Sequence, residues 1–182
     1  MKRHILTGAP GAGKTAILRR LEVLGHCVVE EAATDVIALR QAEGEGEPWT
    51  GARFIEDIVD LQRRRRTRAS ALPVSDQIHD RSAVCTHALC RFLDRPIPPA
   101  LSRELEDIAA HGVFQRQVFF VRAQDFITPT AARRISLEDA LRFEAVHVES
   151  YQTFGYDLVW IEPAALSIRA DQIERRINTP CP

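Results

Sequence analysis

The sequence predicts an α/β protein in which a parallel sheet is flanked by helices, and three observations support this class. Short apolar runs alternate with segments of helical periodicity over most of the chain. The first apolar run enters a glycine-rich turn, GAPGAGKT at residues 8–15, and a helical pattern follows that turn. The chain has 182 residues, 45% of them hydrophobic and 27% charged, which is enough to bury one core. We therefore expect a single domain over residues 1–182.

The first 68 residues predict two strands and three helices. Residues 4–7 form a short apolar run, and residues 15–24 place isoleucine and leucine on one helical face before a glycine ends the helix. A second apolar run at 27–30 precedes a helical pattern at 32–41, and the turn-rich segment EGEGEPWTG follows as a loop. A long amphipathic pattern at 53–68 predicts the third helix.

The remaining residues predict three further strands and four helices. QVFFVR has the strongest strand pattern in the chain, and the proline-rich segment DRPIPP must separate two helices. Ser136 lies three residues before Asp139, as in a capping box, and is expected to open a helix. The predicted strands are 73–80, 117–122 and 158–161, and the predicted helices are 82–93, 101–110, 136–151 and 167–177.

Residues 8–15 match the phosphate-binding pattern GxxxxGK[ST] at every required position. The glycines permit backbone angles that turn successive N–H groups towards phosphate oxygens, and the helix that follows presents its positive end. Lys14 is expected to reach the β- and γ-phosphates, and the Thr15 hydroxyl is expected to bind Mg²⁺. The predicted nucleotide-binding residues are Gly8, Ala9, Pro10, Gly11, Ala12, Gly13, Lys14, Thr15 and Ala16.

This phosphate-binding loop, or P-loop, predicts a nucleoside triphosphate but leaves its fate open. The sequence lacks the NKxD string with which GTPases usually bind guanine, and it is too short for the extra helical domain of large oligomeric ATPases. We therefore favour a small kinase that transfers the γ-phosphoryl group of ATP, with Mg²⁺, to a nucleoside, a nucleotide or a related metabolite. The alternative is a nucleotide-dependent switch or slow ATPase that acts through a protein partner.

A kinase needs an acid for the metal or the acceptor proton, and cations near the transferred phosphoryl group. Asp80 and Arg81 follow the third predicted strand, at the edge where α/β sheets bind ligands. We expect Asp80 to bind Mg²⁺ or take the acceptor proton, with Asp76 as the fallback acid, and Arg81 to contact the acceptor or a phosphate. Glu30 and Glu31 close the second strand in the same way, and we expect Glu31 to point into the crevice.

The polar segment after the fourth strand predicts a short lid around residues 123–136. Arg133 and Arg134 lie in this segment and are expected to approach the phosphates when the lid excludes water. Arg122 ends the strand itself and is expected to stack on the adenine ring.

Charge and cysteine content argue against several other classes of protein. The 24 basic and 25 acidic residues nearly cancel, which gives no support for general binding to nucleic acid or to a membrane surface. No run of 18 apolar residues predicts a transmembrane helix, and the start of the chain lacks the apolar segment of a signal peptide. The four cysteines form no CxxC pair, so we expect reduced thiols in a cytoplasmic protein. No feature predicts the oligomeric state.

Two features have alternative interpretations. The arginines at 63–66 and 68 form either a solvated last helical turn, where the helix dipole favours cations, or an acceptor site for an anionic substrate built around Arg65. Trp49, in the loop at 43–51, either covers a pocket or anchors its own loop.

The chain resembles the small predicted ATPases called AAA-domain ATP-binding proteins. These look like P-loop nucleoside and nucleotide kinases, including the nicotinamide riboside kinase-type domain, rather than true AAA+ machines. The resemblance is carried by GAPGAGKTAILRRLEVLGHCVVEEAATDVI, by the DRS after the third strand and by RISLEDALRFEAVHVESYQTFGYDLVWIE, and it covers most of the chain. It implies a three-layer P-loop NTPase fold whose five parallel strands have the order 2-3-1-4-5. It also implies kinase-like positions for Glu31, Asp80, Arg81 and either Arg133 or Arg134, but it supplies no substrate.

Overall fold

In the computed structural model, which describes residues 1–8, 10–123 and 137–179, strands and helices alternate as the sequence predicts. The described residues form five strands, β1 (Lys2–Gly8), β2 (Cys27–Val29), β3 (Asp76–Asp80), β4 (Gln117–Val121) and β5 (Asp157–Ile161). Seven α-helices accompany them: α1 (Lys14–Val23), α2 (Ala33–Ala42), α3 (Phe54–Ser70), α4 (Ala83–Phe92), α5 (Pro99–Ala110), α6 (Leu137–Thr153) and α7 (Leu166–Asn178). A short 3₁₀ turn lies at Pro48–Thr50.

The five strands form one sheet in which every neighbouring pair is parallel and the order is β2-β3-β1-β4-β5. This confirms the predicted fold class and strand order. Leu6 of β1 lies opposite Asp80 of β3, and Gly8 lies opposite Val121 of β4. The carboxyl ends of the parallel strands therefore meet at one edge of the sheet, which is where ligands of α/β proteins bind.

Helices cover both faces of the sheet, and each face has its own buried apolar cluster. Ile5 and Val118 point into a cluster formed with residues of α2, α3, α4, α5 and α6. Leu6 and Phe119, the next residues along their strands, point to the opposite face and pack with α1 and α7. This alternation is the expected period of two, and it produces the helix–sheet–helix layers of the predicted architecture.

Several elements begin or end a few residues away from the predicted positions. β1 begins at Lys2 because the backbones of Lys2 and Arg3 pair with β3, although their side chains carry no apolar signal. β3 begins at Asp76 rather than at Pro73, since proline has no N–H to donate to a neighbouring strand. α5 begins at Pro99 because proline suits the first turn of a helix.

Two further expectations concern segments outside the described residues. The lid around 123–136 falls almost entirely there, as does the capping position Ser136. Within the described ranges, no helix is both long enough and apolar enough to cross a bilayer.

Candidate functional site

The glycine-rich turn joins β1 to α1 at the carboxyl edge of the sheet. Gly8 has φ +133°, and a Cβ atom there would lie 2.1 Å from the carbonyl oxygen of Val121, so β4 leaves no room for a side chain. Gly11 and Gly13 have φ values of 85° and 87°, in the left-handed region that glycine enters without strain. α1 then begins at Lys14, so the amino end of this helix, with the positive end of its dipole, lies at the turn, as in anion-binding sites.

Lys14 lies beneath this turn with only 6% of its surface exposed. Its Nζ donates a hydrogen bond of 3.0 Å to the carbonyl oxygen of Gly8. Burial lowers the pKa of Lys14 to about 8, and repulsion by Arg81 adds to this, whereas the carboxylates of Asp80 and Glu31 act in the opposite direction. The ammonium group therefore belongs to a cluster of four charged side chains.

Glu31 and Arg81 form an ion pair at the ends of β2 and β3. Arg81 Nε lies 2.5 Å from Glu31 Oε1, and the Arg81 backbone, held at φ 75°, donates a 2.9 Å hydrogen bond to the carbonyl oxygen of Leu6. Burial by itself raises the pKa of Glu31, but the nearby Arg81 and Lys14 outweigh it, so the net pKa lies below the ordinary value. Glu31 is therefore ionised at neutral pH.

A histidine from α6 completes the support of Arg81, and no sequence pattern pointed to it. Arg81 Nη1 lies 3.1 Å from His147 Nε2, and His147 Nδ1 lies 2.9 Å from the carbonyl oxygen of Phe143. The geometry assigns the proton to Nδ1, which donates to Phe143, so that Nε2 accepts from the guanidinium. Burial, together with Arg81, lowers the pKa of His147 to about 3 and keeps the ring neutral.

Asp80 is the last residue of β3, and only 6% of its surface is exposed. Its Oδ1 atom is buried and has no hydrogen-bond partner among the described residues. Burial raises the pKa of Asp80 to about 6, with Lys14 opposing the rise and Glu31 reinforcing it. A buried carboxylate oxygen of this kind, together with the exposed hydroxyl-bearing side chain of Thr15 at the start of α1, matches the oxygen ligands that Mg²⁺ prefers. The residues present therefore fit the predicted metal.

A cavity of about 610 Å³ opens beside the turn and extends between the helices on one side of the sheet. Glu31 and Arg81 lie on its wall, and the P-loop forms one end. Trp49 also lines it, which agrees with the interpretation that this tryptophan covers a pocket. The P-loop residues in the lining are Pro10, Gly11, Gly13, Lys14, Thr15 and Ala16, and the helical walls contribute Ala33, Thr34, Ile37, Phe54, Ile58, Gln62, Cys85, Thr86, Leu89, Phe92, Leu93 and Phe143.

Arg169 of α7 also lines the cavity, and sequence reasoning missed it. Its Nη1 donates a 3.0 Å hydrogen bond to the carbonyl oxygen of Ala12 in the P-loop, and only 6% of the residue is exposed. Arg169 shares a helical stripe with Ile173 and Ile177, both buried. A charged residue inside an apolar stripe needs a partner, and this is the signal that was present in the sequence.

Some predicted residues do not line the cavity. Asp76 lies at the amino end of β3, opposite Lys2, and its carboxylate is 3.2 Å from His4 Nε2, so the fallback acid is at the wrong edge of the sheet. The Arg122 guanidinium lies 4.6 Å from the ring centroid of Trp160, and its role at adenine stays a prediction. Ala9, Arg133 and Arg134 lie outside the described residues, and their roles also stay predictions.

The arginine cluster of α3 fits neither proposed interpretation as a whole. Arg65 donates hydrogen bonds to the backbone carbonyls of Glu30 and Glu31 and pairs with Asp35. Arg66 pairs with two acidic residues of α5 at 2.9 and 3.1 Å. These two guanidinium groups hold the end of β2 and the helix α5 in place, whereas residues 63, 64 and 68 are exposed as a solvated helical turn would be.

Comparison with known families gives one match that spans nearly the whole chain. A family model described as an AAA domain matches residues 3–169. The chain belongs to this AAA-domain family. No curated protein sequence matches it.

Solved structures similar to this AAA-domain protein include kinases of small molecules. Deoxyadenosine kinase from M. mycoides with bound dATP has a TM-score of 0.68 at 14% identity, and the match covers 98% of this chain and 100% of that one. The same enzyme with dCMP and dCDP bound gives 0.65 at 16% identity, covering 97% and 98%. Shikimate kinase from Acinetobacter baumannii in complex with shikimate gives 0.52 at 13% identity, covering 97% and 93%. These likenesses show that the AAA-domain protein has the fold of P-loop kinases.

Proposed function

We propose that this AAA-domain protein is a Mg²⁺-dependent phosphotransferase that moves the γ-phosphoryl group of ATP to a hydroxyl group of a small molecule bound in the cavity. The observation that carries the proposal is the Glu31–Arg81 pair on the cavity wall beside the P-loop. Phosphoryl transfer requires a group that orients the attacking hydroxyl and a cation that stabilises charge on the transferred phosphoryl group. A carboxylate and a guanidinium fixed next to a phosphate-binding turn supply both.

The triphosphate end of the site is built from the P-loop. Its N–H groups and the start of α1 bind phosphate oxygens, and Lys14 neutralises charge on the β- and γ-phosphates. Thr15 and Asp80 would hold Mg²⁺, which would further neutralise the charge on the phosphate oxygens. Arg169 fixes the carbonyl of Ala12 and so keeps the backbone of the turn in one arrangement.

The transfer step itself uses Glu31 and Arg81. A bond forms between the acceptor oxygen and the γ-phosphorus while the bond from that phosphorus to the β–γ bridging oxygen breaks, and ADP leaves. The proton of the acceptor hydroxyl passes to Glu31. A carboxylate with a lowered pKa is a weak base, but the loose transition state of phosphoryl transfer needs the hydroxyl proton removed only late. Arg81, held by His147 and by the carbonyl of Leu6, meets the charge on the transferred group.

The proposal also includes a cytoplasmic location and a single domain over residues 1–182. Cys27, Cys85 and Cys90 are free thiols, which is what a reducing compartment maintains.

The proposal is tested by neutralising Glu31 and its neighbour separately. Glu31→Gln is expected to lower kcat for transfer from radiolabelled ATP by about 10²–10⁴-fold, because the amide cannot take the proton, while the Kd for ATP changes little. Glu30→Gln is the matched control, since Glu30 is exposed and pairs with Arg19 on the surface. Equal rates for the two variants would contradict the role given to Glu31.

A further inference from the structure

Among the residues that the structure describes, the positive charges that line the cavity lie at its phosphate-binding end. Within the described residues the cationic side chains of the lining are Lys14, Arg81 and Arg169. Lys14 belongs to the P-loop, Arg169 is bonded to the loop carbonyl of Ala12, and Arg81 is paired with Glu31. Lys14 and Arg169 therefore serve the triphosphate end of the cavity, and Arg81 serves the reacting centre.

The rest of the wall is apolar and rich in aromatic rings. Trp49 and Ile58 lie on one side, and Leu89, Phe92 and Phe143 come from α4 and α6. The rings of Phe92 and Phe143 pack against each other with centroids 4.5 Å apart. Flat or ring-shaped molecules with little polarity are the natural occupants of such a surface, because they bury apolar area against it.

The polar side chains on this part of the wall are neutral and already bonded to each other or to the backbone. Thr86 Oγ1 donates a 3.1 Å hydrogen bond to Gln62 Oε1, and Gln62 Nε2 lies 3.4 Å from the carbonyl oxygen of Ser82. Thr34 donates to the Glu31 carboxylate at 2.7 Å. They can share hydrogen bonds with hydroxyl, ether or amide groups, but they offer no charge.

Among the described residues, Arg142 and Arg65 contact residues of the lining without lining the cavity themselves. Arg142 lies 4.8 Å from the centroid of the Phe92 ring, but its side chain is 66% exposed and pairs with Asp139. Arg65, the centre of the predicted anion site, is held by Asp35 and by two backbone carbonyls. Neither guanidinium is placed to meet an anion inside the cavity.

We propose that the phosphoryl acceptor is an uncharged alcohol with a ring-shaped, largely apolar body, and not an acid or a molecule that already carries phosphate. This inference rests on the proposed function. A carboxylate or phosphate on the acceptor body would be buried against apolar residues that, in the part of the chain that the structure describes, offer it no counter-charge, next to the ionised Glu31. The fold alone does not determine whether the acceptor is charged, because one of the structurally similar kinases is seen with shikimate, which is an acid.

The test compares matched neutral and anionic ligands by calorimetry, with the protein saturated with Mg²⁺ and a non-hydrolysable ATP analogue. The pairs are 2′-deoxyadenosine with its 5′-monophosphate, methyl shikimate with shikimate, and benzyl alcohol with 4-(hydroxymethyl)benzoate. The neutral member of at least one pair is expected to bind at least about tenfold more tightly than its anionic partner. Equal or tighter binding of the anion in any pair, or binding of no member at all, overturns the inference.

A charge placed on the apolar wall provides the complementary test. Leu89→Lys is expected to reverse the preference, raising affinity for the anionic member and lowering it for the neutral one by about tenfold each. Leu89→Met is the control of similar size and is expected to keep the wild-type preference. The affinity for the ATP analogue shows whether each variant is folded. If Leu89→Lys no longer binds the analogue, the comparison of the ligand pairs on the wild-type protein tests the inference alone. A folded Leu89→Lys variant with an unchanged preference overturns the inference.

The inference and the proposed function fail in different ways. A protein that binds neutral alcohols beside ATP but releases only inorganic phosphate contradicts the kinase assignment and supports the assignment of the cavity. A protein that phosphorylates only the anionic member of each pair supports the kinase assignment and overturns the inference about its acceptor.

Discussion

Ionisation of the buried Asp80 carboxylate lowers the free energy of unfolding, and this loss of stability can be measured. Burial raises the pKa of Asp80 from 3.8 to about 6, and its Oδ1 atom has no hydrogen-bond partner among the described residues. The folded chain therefore binds this proton more tightly than the unfolded chain does. Between those two pKa values the free energy of unfolding falls as the pH rises, and the full cost is present above about pH 6.

The size of the effect follows from the two pKa values. One pKa unit corresponds to about 1.4 kcal/mol, so the shift of Asp80 corresponds to at most about 3 kcal/mol of unfolding free energy. Asp80→Asn removes this titration. The difference in unfolding free energy, variant minus wild type, should rise by up to about 3 kcal/mol between about pH 4 and about pH 7. Any constant cost of burying the amide cancels from this change.

Urea unfolding across this pH range measures the difference, and Asp76→Asn on the same strand provides a control of opposite sign. Burial by itself raises the pKa of Asp76, but hydrogen bonds to Ser75 and His4 outweigh it and lower the net pKa. Its ionised form therefore stabilises the fold, so Asp76→Asn should lose stability relative to wild type as the pH rises. Asp80→Asn should also weaken binding of ATP in the presence of Mg²⁺, whereas Asp76→Asn should not.

A flat or falling difference for Asp80→Asn over this range would refute the reasoning. It would mean that the carboxylate is solvated or paired in the folded protein and is not held ready for a cation. Unchanged affinity for ATP and Mg²⁺ in a folded Asp80→Asn variant would contradict the metal-binding role even if the pH dependence were as expected.

Two further substitutions test the P-loop and its support. Gly8→Ala should destabilise the fold by more than about 3 kcal/mol, because its Cβ would lie 2.1 Å from the Val121 oxygen. Gly25→Ala, at φ +95° with nothing within 4 Å of the added Cβ, should cost only about 1–2 kcal/mol in urea unfolding. Arg169→Ala should raise the Kd for ATP at least about tenfold by releasing the P-loop carbonyl it holds, while exposed Arg175→Ala on the same helix should leave it unchanged. Equal unfolding free energies for Gly8→Ala and Gly25→Ala, or equal Kd values for ATP in Arg169→Ala and Arg175→Ala, would contradict these assignments.

The parts of the site that could be predicted from the sequence are those built from neighbouring residues or fixed by topology. The P-loop occupies eight consecutive residues, 8–15, and its glycines report backbone angles that no other residue adopts easily. Asp80 and Arg81 were placed correctly at the edge of the sheet because the carboxyl ends of parallel strands meet there. The preference for Glu31 over Glu30 also agrees with the structure, in which Glu31 lines the cavity and Glu30 is exposed.

Contacts between distant parts of the chain could not be predicted in this way. Arg169 is 157 residues from its partner Ala12, and His147 is 66 residues from Arg81. Arg65 lies on a helix whose pattern suggested solvent or substrate, and its actual partners are the carbonyls at the end of β2. Arginine can bond several oxygens at once, so its partner depends on which oxygens the fold brings within reach.

The ends of the strands could not be predicted from the apolar pattern either. An apolar pattern marks the residues that are buried, whereas a strand extends as far as its backbone is hydrogen-bonded. Lys2 and Arg3 carry polar side chains at the rim of the sheet, yet both pair with β3. At the other end, β2 stops at Val29, so Glu30 follows the strand without belonging to it.

The central claim is tested most directly by phosphorus NMR of the protein with ATP, Mg²⁺ and a panel of neutral ring alcohols. The proposed chemistry predicts a new phosphomonoester signal that grows in step with ADP and is absent from the Lys14→Ala variant. Release of inorganic phosphate alone, and only when a protein partner is added, would contradict the kinase assignment and favour a nucleotide-dependent switch.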